Sequence, residues 1–453
     1  MKHSSAWALL WSLFLCASPL VRAADVTAFV DVNLVPMESA QVLHAQTVLV
    51  ADGRIAAIGK ALAVPAGARV IDGHGRAFLS PGLADMHTHS STRGDLAVYL
   101  ANGVTSVLNM GAPSDLAAQL RPRVNEGRIP GPHIYAAFRV DGGPRYGDYF
   151  VTNADEARAV VRMAKTNGYD FIKAYNDLSA ESFAALADEG RRLQVPVVGH
   201  SVGSVGLEKQ LAAGQLLVAH AEEFLYSTFA PSEGASTDAL PDKDRVQQAI
   251  DFVRRDRAFV TADLRTYAAI AEQWGRPEVP RAMLRAPEVR YLAPAQRIEW
   301  RRADYGARKG TLTARLEFLR RFVKAMADAG VPLVAGTDAP TIAGLVPGFS
   351  LHDDLAELER AGLSRYQALG TATRTPGELI HRAHPDAESF GTIAPGYRAD
   401  LVLSERNPLD DLATLRHPLG VMAGGRWYDK DALRALLDDV AREYASAAIG
   451  PDR

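Results

Sequence analysis

Eight apolar runs, spaced by amphipathic stretches, constrain the fold of this chain more than any other feature. They cover residues 78–87, 104–109, 133–138, 170–175, 196–200, 216–220, 259–263 and 331–336. Short continuous apolar runs suit strands buried on both faces, as in parallel sheets covered by helices. The intervening segments, such as 154–165 and 180–193, are rich in Ala, Glu and Arg and read as amphipathic helices. Strand and helix alternating eight times predicts an α/β fold, a (β/α)8 TIM barrel. An open doubly wound sheet is the competing arrangement. The count of eight and the lack of a glycine-rich phosphate turn after the first run favour the barrel.

The flanks follow a different grammar. Residues 47–50, an Asp52-Gly53 turn and residues 55–58 read as a hairpin, with a further strand and turn at 70–73. Beyond two helical stretches at 353–361 and 365–374, strand grammar returns at 391–396, 399–403 and 420–428. Neither terminal set is able to bury its apolar face alone, so the two are expected to pair in one discontinuous β-sandwich. The division is then 24–80 and 386–453 for the sandwich, the latter ending in a helix, and 81–385 for the barrel. A long segment between the seventh and eighth runs, 264–315, is either a substrate lid or a decorative helical insertion.

Composition bears on location and partners. Lys and Arg total 50 against 53 Asp and Glu, a net charge of −3 that gives no footprint for nucleic acid. The lone Cys16 sits in an apolar stretch that follows Lys2 and ends at Val21-Arg22-Ala23. This pattern reads as a secretory signal peptide over 1–23, and so as an exported protein, periplasmic or secreted. The stretch is interrupted by Pro19 and short for a membrane span. No other segment is apolar and long enough, so no stable membrane insertion is expected. Without Cys16 the mature chain has neither a disulfide nor a thiolate metal site.

The chemistry gathers where strands end. His87 and His89 stand at i and i+2 on an extended chain, so both rings project to one face and suit a single ion. His200 and His220 each close an apolar run; one such residue alone reads as a core histidine, two on consecutive strands as part of a metal centre. Asp338 closes the eighth run, where by itself it reads equally as a helix cap. Lys173 stands inside an apolar strand, where an ammonium is costly to bury. It is either a lysine snorkelling from the strand end or, as a CO2-derived carbamate, an anionic ligand able to bridge two cations. Tyr226 and Arg139 suit a substrate carbonyl or carboxylate, and an ordinary packing role equally well.

Together these residues resemble the amidohydrolase superfamily. The stretches around Ser80-Pro-Gly-Leu-Ala-Asp-Met-His-Thr-His89, His220-Ala-Glu-Glu-Phe224, Gly336-Thr-Asp-Ala-Pro340 and Gly391-Thr-Ile-Ala-Pro-Gly396 are similar to its imidazolonepropionase-like branch, which includes Xaa-Pro dipeptidases. Lys173 departs from the mononuclear imidazolonepropionases and points to binuclear, dipeptidase-like members. The resemblance implies that His87, His89, Lys173 and Asp338 hold one divalent ion and that carbamylated Lys173, His200 and His220 hold a second, both Zn2+. It implies attack by metal-bound hydroxide on the amide or peptide bond of a small molecule, an Xaa-Pro dipeptide or an N-acyl amino acid, with Asp338 moving the proton. A lactonase or phosphotriesterase uses the same centre, and a non-catalytic binding protein is the reading of a different class. A homo-oligomer is compatible with all of them.

Overall fold

A computed structural model describes residues 26–145, 149–230 and 241–446; the expected leader and its cleavage site lie outside them. Eight parallel strands neighbour one another in chain order: Leu83–Thr88, Val104–Asn109, His133–Asp141, Phe171–Ala174, Val197–Gly199, Leu217–Val218, Phe259–Thr261 and Leu333–Val334. The first and last meet at a seam, where Met86 N donates to Ala335 O at 2.9 Å and Asp338 N donates to His87 O at 2.8 Å. The sheet thereby closes into the expected (β/α)8 barrel. Asp85 ties the seam further, accepting from the Thr337 hydroxyl at 2.6 Å and from Thr337 N at 3.1 Å. The approach is close enough that a Cβ on Gly336 would stand 2.8 Å from His87 Cβ and 2.5 Å from Thr261 Cγ2. Only glycine fits there. Alternate residues such as Met86, Leu108, Phe171, Leu217 and Val334 fill the interior, as the period-2 geometry of strands requires.

The first apolar run is not one strand. Phe78–Pro81 belongs to a second sheet and Leu83–Thr88 to the barrel, with Gly82 between them. Pro81 has no N–H to continue a ladder, and a Cβ on Gly82 would lie 2.2 Å from Thr105 Oγ1. The chain crosses from one body to the other at this point.

The second sheet is mixed and has eight strands among the described residues. Leu401–Ser404 runs antiparallel to Phe78–Pro81, which joins the C-terminal segment to the N-terminal one. The predicted hairpin is present as Leu43–Ala51 and Arg54–Gly59. Phe29, Val32, Val48, Leu79, Leu401 and Met422 form the core of this sheet.

Helices cover the barrel. Ala154–Thr166 and Ala180–Leu193 form where expected, capped by Asn153 and Ser179. Between the eighth strand and Leu401–Ser404 the described residues form three helices rather than two, Phe349–Arg360, Arg365–Thr371 and Arg374–Ala383. The 264–315 segment is helical and anchored. Trp300, 1% exposed, donates its indole N–H to Pro340 O at 2.8 Å, and Gln273 Nε2 donates to Ala343 O at 2.9 Å. It therefore packs on the loop that follows Asp338. No helix among the described residues is long and apolar enough to cross a membrane.

Candidate metal centre

All six residues singled out as ligands converge at the C-terminal mouth of the barrel. Alternation along the first strand puts Ala84 and Met86 in the interior. A register shift between Asp85 and Thr88 breaks that alternation, and His87 faces inward as well. His87 is fully buried. Its Nδ1 lies 3.0 Å from Ala219 O, so that nitrogen carries the proton and Nε2 presents a lone pair to the centre. Asp338 Oδ1 lies 3.3 Å from His87 Nε2 and 3.0 Å from His89 Nε2. Its other oxygen accepts from the Thr341 hydroxyl at 2.8 Å.

Lys173 is 1% exposed, and its Nζ lies 3.1 Å from His87 Nε2. Burial, only partly offset by Asp338, pulls the ammonium down to about 7. A snorkelling side chain would keep its head in water. This one does not.

His200 and His220 are oriented by carboxylates. His200 Nδ1 lies 2.6 Å from Glu223 Oε1, and His220 Nδ1 donates to Asp263. Glu223 also accepts from Ser201 N at 2.9 Å. Such pairs fix the tautomer and aim the second ring nitrogen, as is usual for histidines that bind metals. The His87 and His220 rings are 4.3 Å apart and those of His200 and His220 5.0 Å. His200 Nε2 is buried and has no hydrogen-bond partner. An orphaned, aimed imidazole nitrogen fits a metal ligand better than a packed core histidine.

Two sets of donor atoms lie within 4.8 Å of one another: His87, His89 and Asp338, and His87, His220 and Asp263. Sequence alone assigns no role to Asp263 or Glu223, although the run 259–263 ends on one and the His220-Ala-Glu-Glu stretch holds the other. Asp263 and Asp338 close the seventh and eighth strands with φ of 23° and 54°. Positive φ is costly for a non-glycine residue, and these two adopt it where the donor atoms converge.

The substrate candidates are placed unevenly. Arg139 lies within the third strand, His133–Asp141, rather than just past it. Its Cζ and His89 Cε1 would stand 3.6 and 3.4 Å from a Cβ on Gly111, so guanidinium and imidazole flank one spot. Tyr226 ends the short helix Glu223–Tyr226 and is 54% exposed.

An amidohydrolase family model matches residues 256–426, which hold the seventh and eighth strands and Asp338. The matched stretch resembles the amidohydrolase superfamily. Over 96% of its length this chain is similar to the structure of a bottromycin amidohydrolase, covering 95% of that chain with 25% identity and a TM-score of 0.72. A Xaa-Pro dipeptidase with bound methionine shares the fold, at 19% identity over 89% of this chain and 100% of that one, with a TM-score of 0.64. The dihydroorotase of Geobacter sulfurreducens is 27% identical over 39% of this chain, which spans only 38% of that relative's length.

Proposed function

We propose that this chain is a binuclear metal-dependent hydrolase that cleaves the amide or peptide bond of small substrates, Xaa-Pro dipeptides or N-acyl amino acids. One observation carries the reading. Four buried or half-buried imidazoles meet Asp338 around Lys173, with carboxylates behind His200 and His220 and a bare Nε2 on His200. Imidazole and carboxylate donors suit zinc. In this reading His87, His89 and Asp338 would hold one ion, His200 and His220 the other, and a carbamate on Lys173 would add its oxygens to the donor set. Such ions supply Lewis acidity, which polarises a carbonyl and acidifies water.

The chain's own residues account for the proton and the charge. The deprotonated amine of Lys173 is the form that adds CO2: an N–C bond forms as one C=O π bond opens, an N–H proton leaves, and the neutral amine becomes an anionic carbamate. Asp338 takes the proton of the attacking water and delivers it to the departing amine as the C–O bond forms and the C–N bond breaks. Arg139, beside His89, is our candidate for the substrate carboxylate. Tyr226 is the weaker one, given its exposure.

Side-by-side rates of zinc-reconstituted protein on Xaa-Pro dipeptides, N-acyl amino acids, lactones and phosphotriesters test the assignment. Amide turnover above all the esters is expected; a lactone or phosphotriester cleaved faster than every amide would overturn it. We further propose that the protein is exported, on the support of residues 1–23. Sequencing the mature N-terminus is expected to start at or near Ala24, and an intact Met1 on cytoplasmic protein would count against export.

A further inference from the structure

The two adjacent glutamates after His220 have different surroundings. Glu223 turns to His200 and to the Ser201 N–H, so its carboxylate is spent on orienting a ligand. Glu222 precedes it at the start of the short helix Glu223–Tyr226. Its backbone is fixed: Ala221 N donates to Thr261 O at 2.8 Å, and Leu225 N donates to Glu222 O at 2.8 Å. Its side chain is not. Oε2 is buried out of reach of solvent and has no hydrogen-bond partner.

An unpartnered carboxylate oxygen is among the costlier groups a protein can bury. No protein group satisfies this one, which leaves it open to a group that enters the site. His200 Nε2 is orphaned in the same mouth, where a cation is the natural partner. Glu222 stands two residues beyond His220, and His220, Asp263 and Asp338 all act on it electrostatically. Its charge is also felt by the Tyr226 and Tyr267 hydroxyls. A carboxylate oxygen without a protein partner, close in the chain to His220, suits an ammonium group.

We propose that Glu222 is a specificity residue that binds the α-ammonium of the substrate, so that the site prefers dipeptides with a free amino terminus over N-acylated amino acids. The inference rests on the amide-hydrolase reading and selects one of its two substrate classes. In a dipeptide the amine is carried by the carbon next to the scissile carbonyl. A carboxylate beside the metal ligands is thus where such an amine would need its counter-charge.

The test pairs a dipeptide with its N-acetyl counterpart, which has the same scissile bond, and compares wild type with Glu222→Gln and Glu222→Asp. Wild type is expected to favour the free amine in kcat/KM. In Glu222→Gln that preference should shrink by roughly ten- to hundredfold, mainly through KM, as expected when a charge-assisted bond is lost. Glu222→Asp should retain part of it. Equal losses on both substrates, or none on either, overturn the proposal. If wild type cleaves neither, the reading of the reaction fails on its own account. Calorimetry with an aminoalkyl phosphonate and its N-acetyl form then decides Glu222. Affinity that depends on the amine and is lost in Glu222→Gln supports the residue's role, and equal affinities overturn it.

Discussion

Asp263 accepts the Nδ1 proton of His220 across the mouths of adjacent barrel strands. The pair sets which ring nitrogen faces the centre, because a donated Nδ1–H leaves the lone pair on Nε2. It also decides the charge of the metal-free site. Burial alone would lower the imidazole's pKa, but the Asp263 carboxylate outweighs it and raises it to about 9. His200 has a similar partner in Glu223, yet burial prevails there and the ring falls to about 4.

Asp263→Asn should therefore weaken metal binding by roughly 10–100-fold, the usual cost of losing a partner that orients a ligand. Competition with a chromophoric chelator measures it. Unchanged affinity would show that His220 is held by packing alone.

Much of the barrel was legible because its strands are apolar runs of the right length, each closed by a polar residue. The centre was legible where spacing or position constrained it, as for His87 and His89, or where a residue broke the pattern, as for Lys173. What stayed hidden depends on contacts far apart in sequence. The Asp85–Thr337 bond spans 252 positions, and nothing near Asp85 in the chain announces it. Asp263 ends a strand as Asp338 does, but an aspartate before a helix reads equally as a cap. The split of the first run at Gly82 was missed because an apolar run looks the same whether it serves one sheet or two.

The seam bond gives a stability prediction. Burial raises the Asp85 carboxyl to about 7, while its bond from Thr337 pulls the other way. Since the folded value lies above the unfolded one, the native state loses stability as pH rises from about 4 towards 7. Thr337→Val removes a donor that favours the ionised form. It should cost about 1–3 kcal/mol, with the larger loss on the alkaline side. Thermal melts of metal-free protein at about pH 6 and about pH 8 check both size and direction. A loss independent of pH would place its origin in packing.

Asp338→Asn should retain most of the bound metal but lose turnover by roughly 10²–10⁴-fold, because an amide does not accept the proton. Metal content and kcat measured on one preparation separate the two effects. A variant that keeps near-normal kcat would mean that another group carries the proton.

Lys173 decides between one ion and two. Its Nζ sits 3.1 Å from a histidine nitrogen inside a site built to attract cations, where an ammonium would oppose any ion that entered. Carbamylation reverses that charge and supplies oxygens to both sides of the site. Elemental analysis should accordingly find about two ions per wild-type chain, the count that a bridged pair requires. Lys173→Ala should lose one ion and most activity, and acetate or propionate at high concentration should partly restore both by filling the vacated space with a carboxylate. Lys173→Arg should not respond to the same treatment, because guanidinium stays charged and forms no adduct under these conditions. A Lys173→Arg protein that keeps both ions and full activity would remove the bridge from the mechanism and leave Lys173 a buried structural lysine.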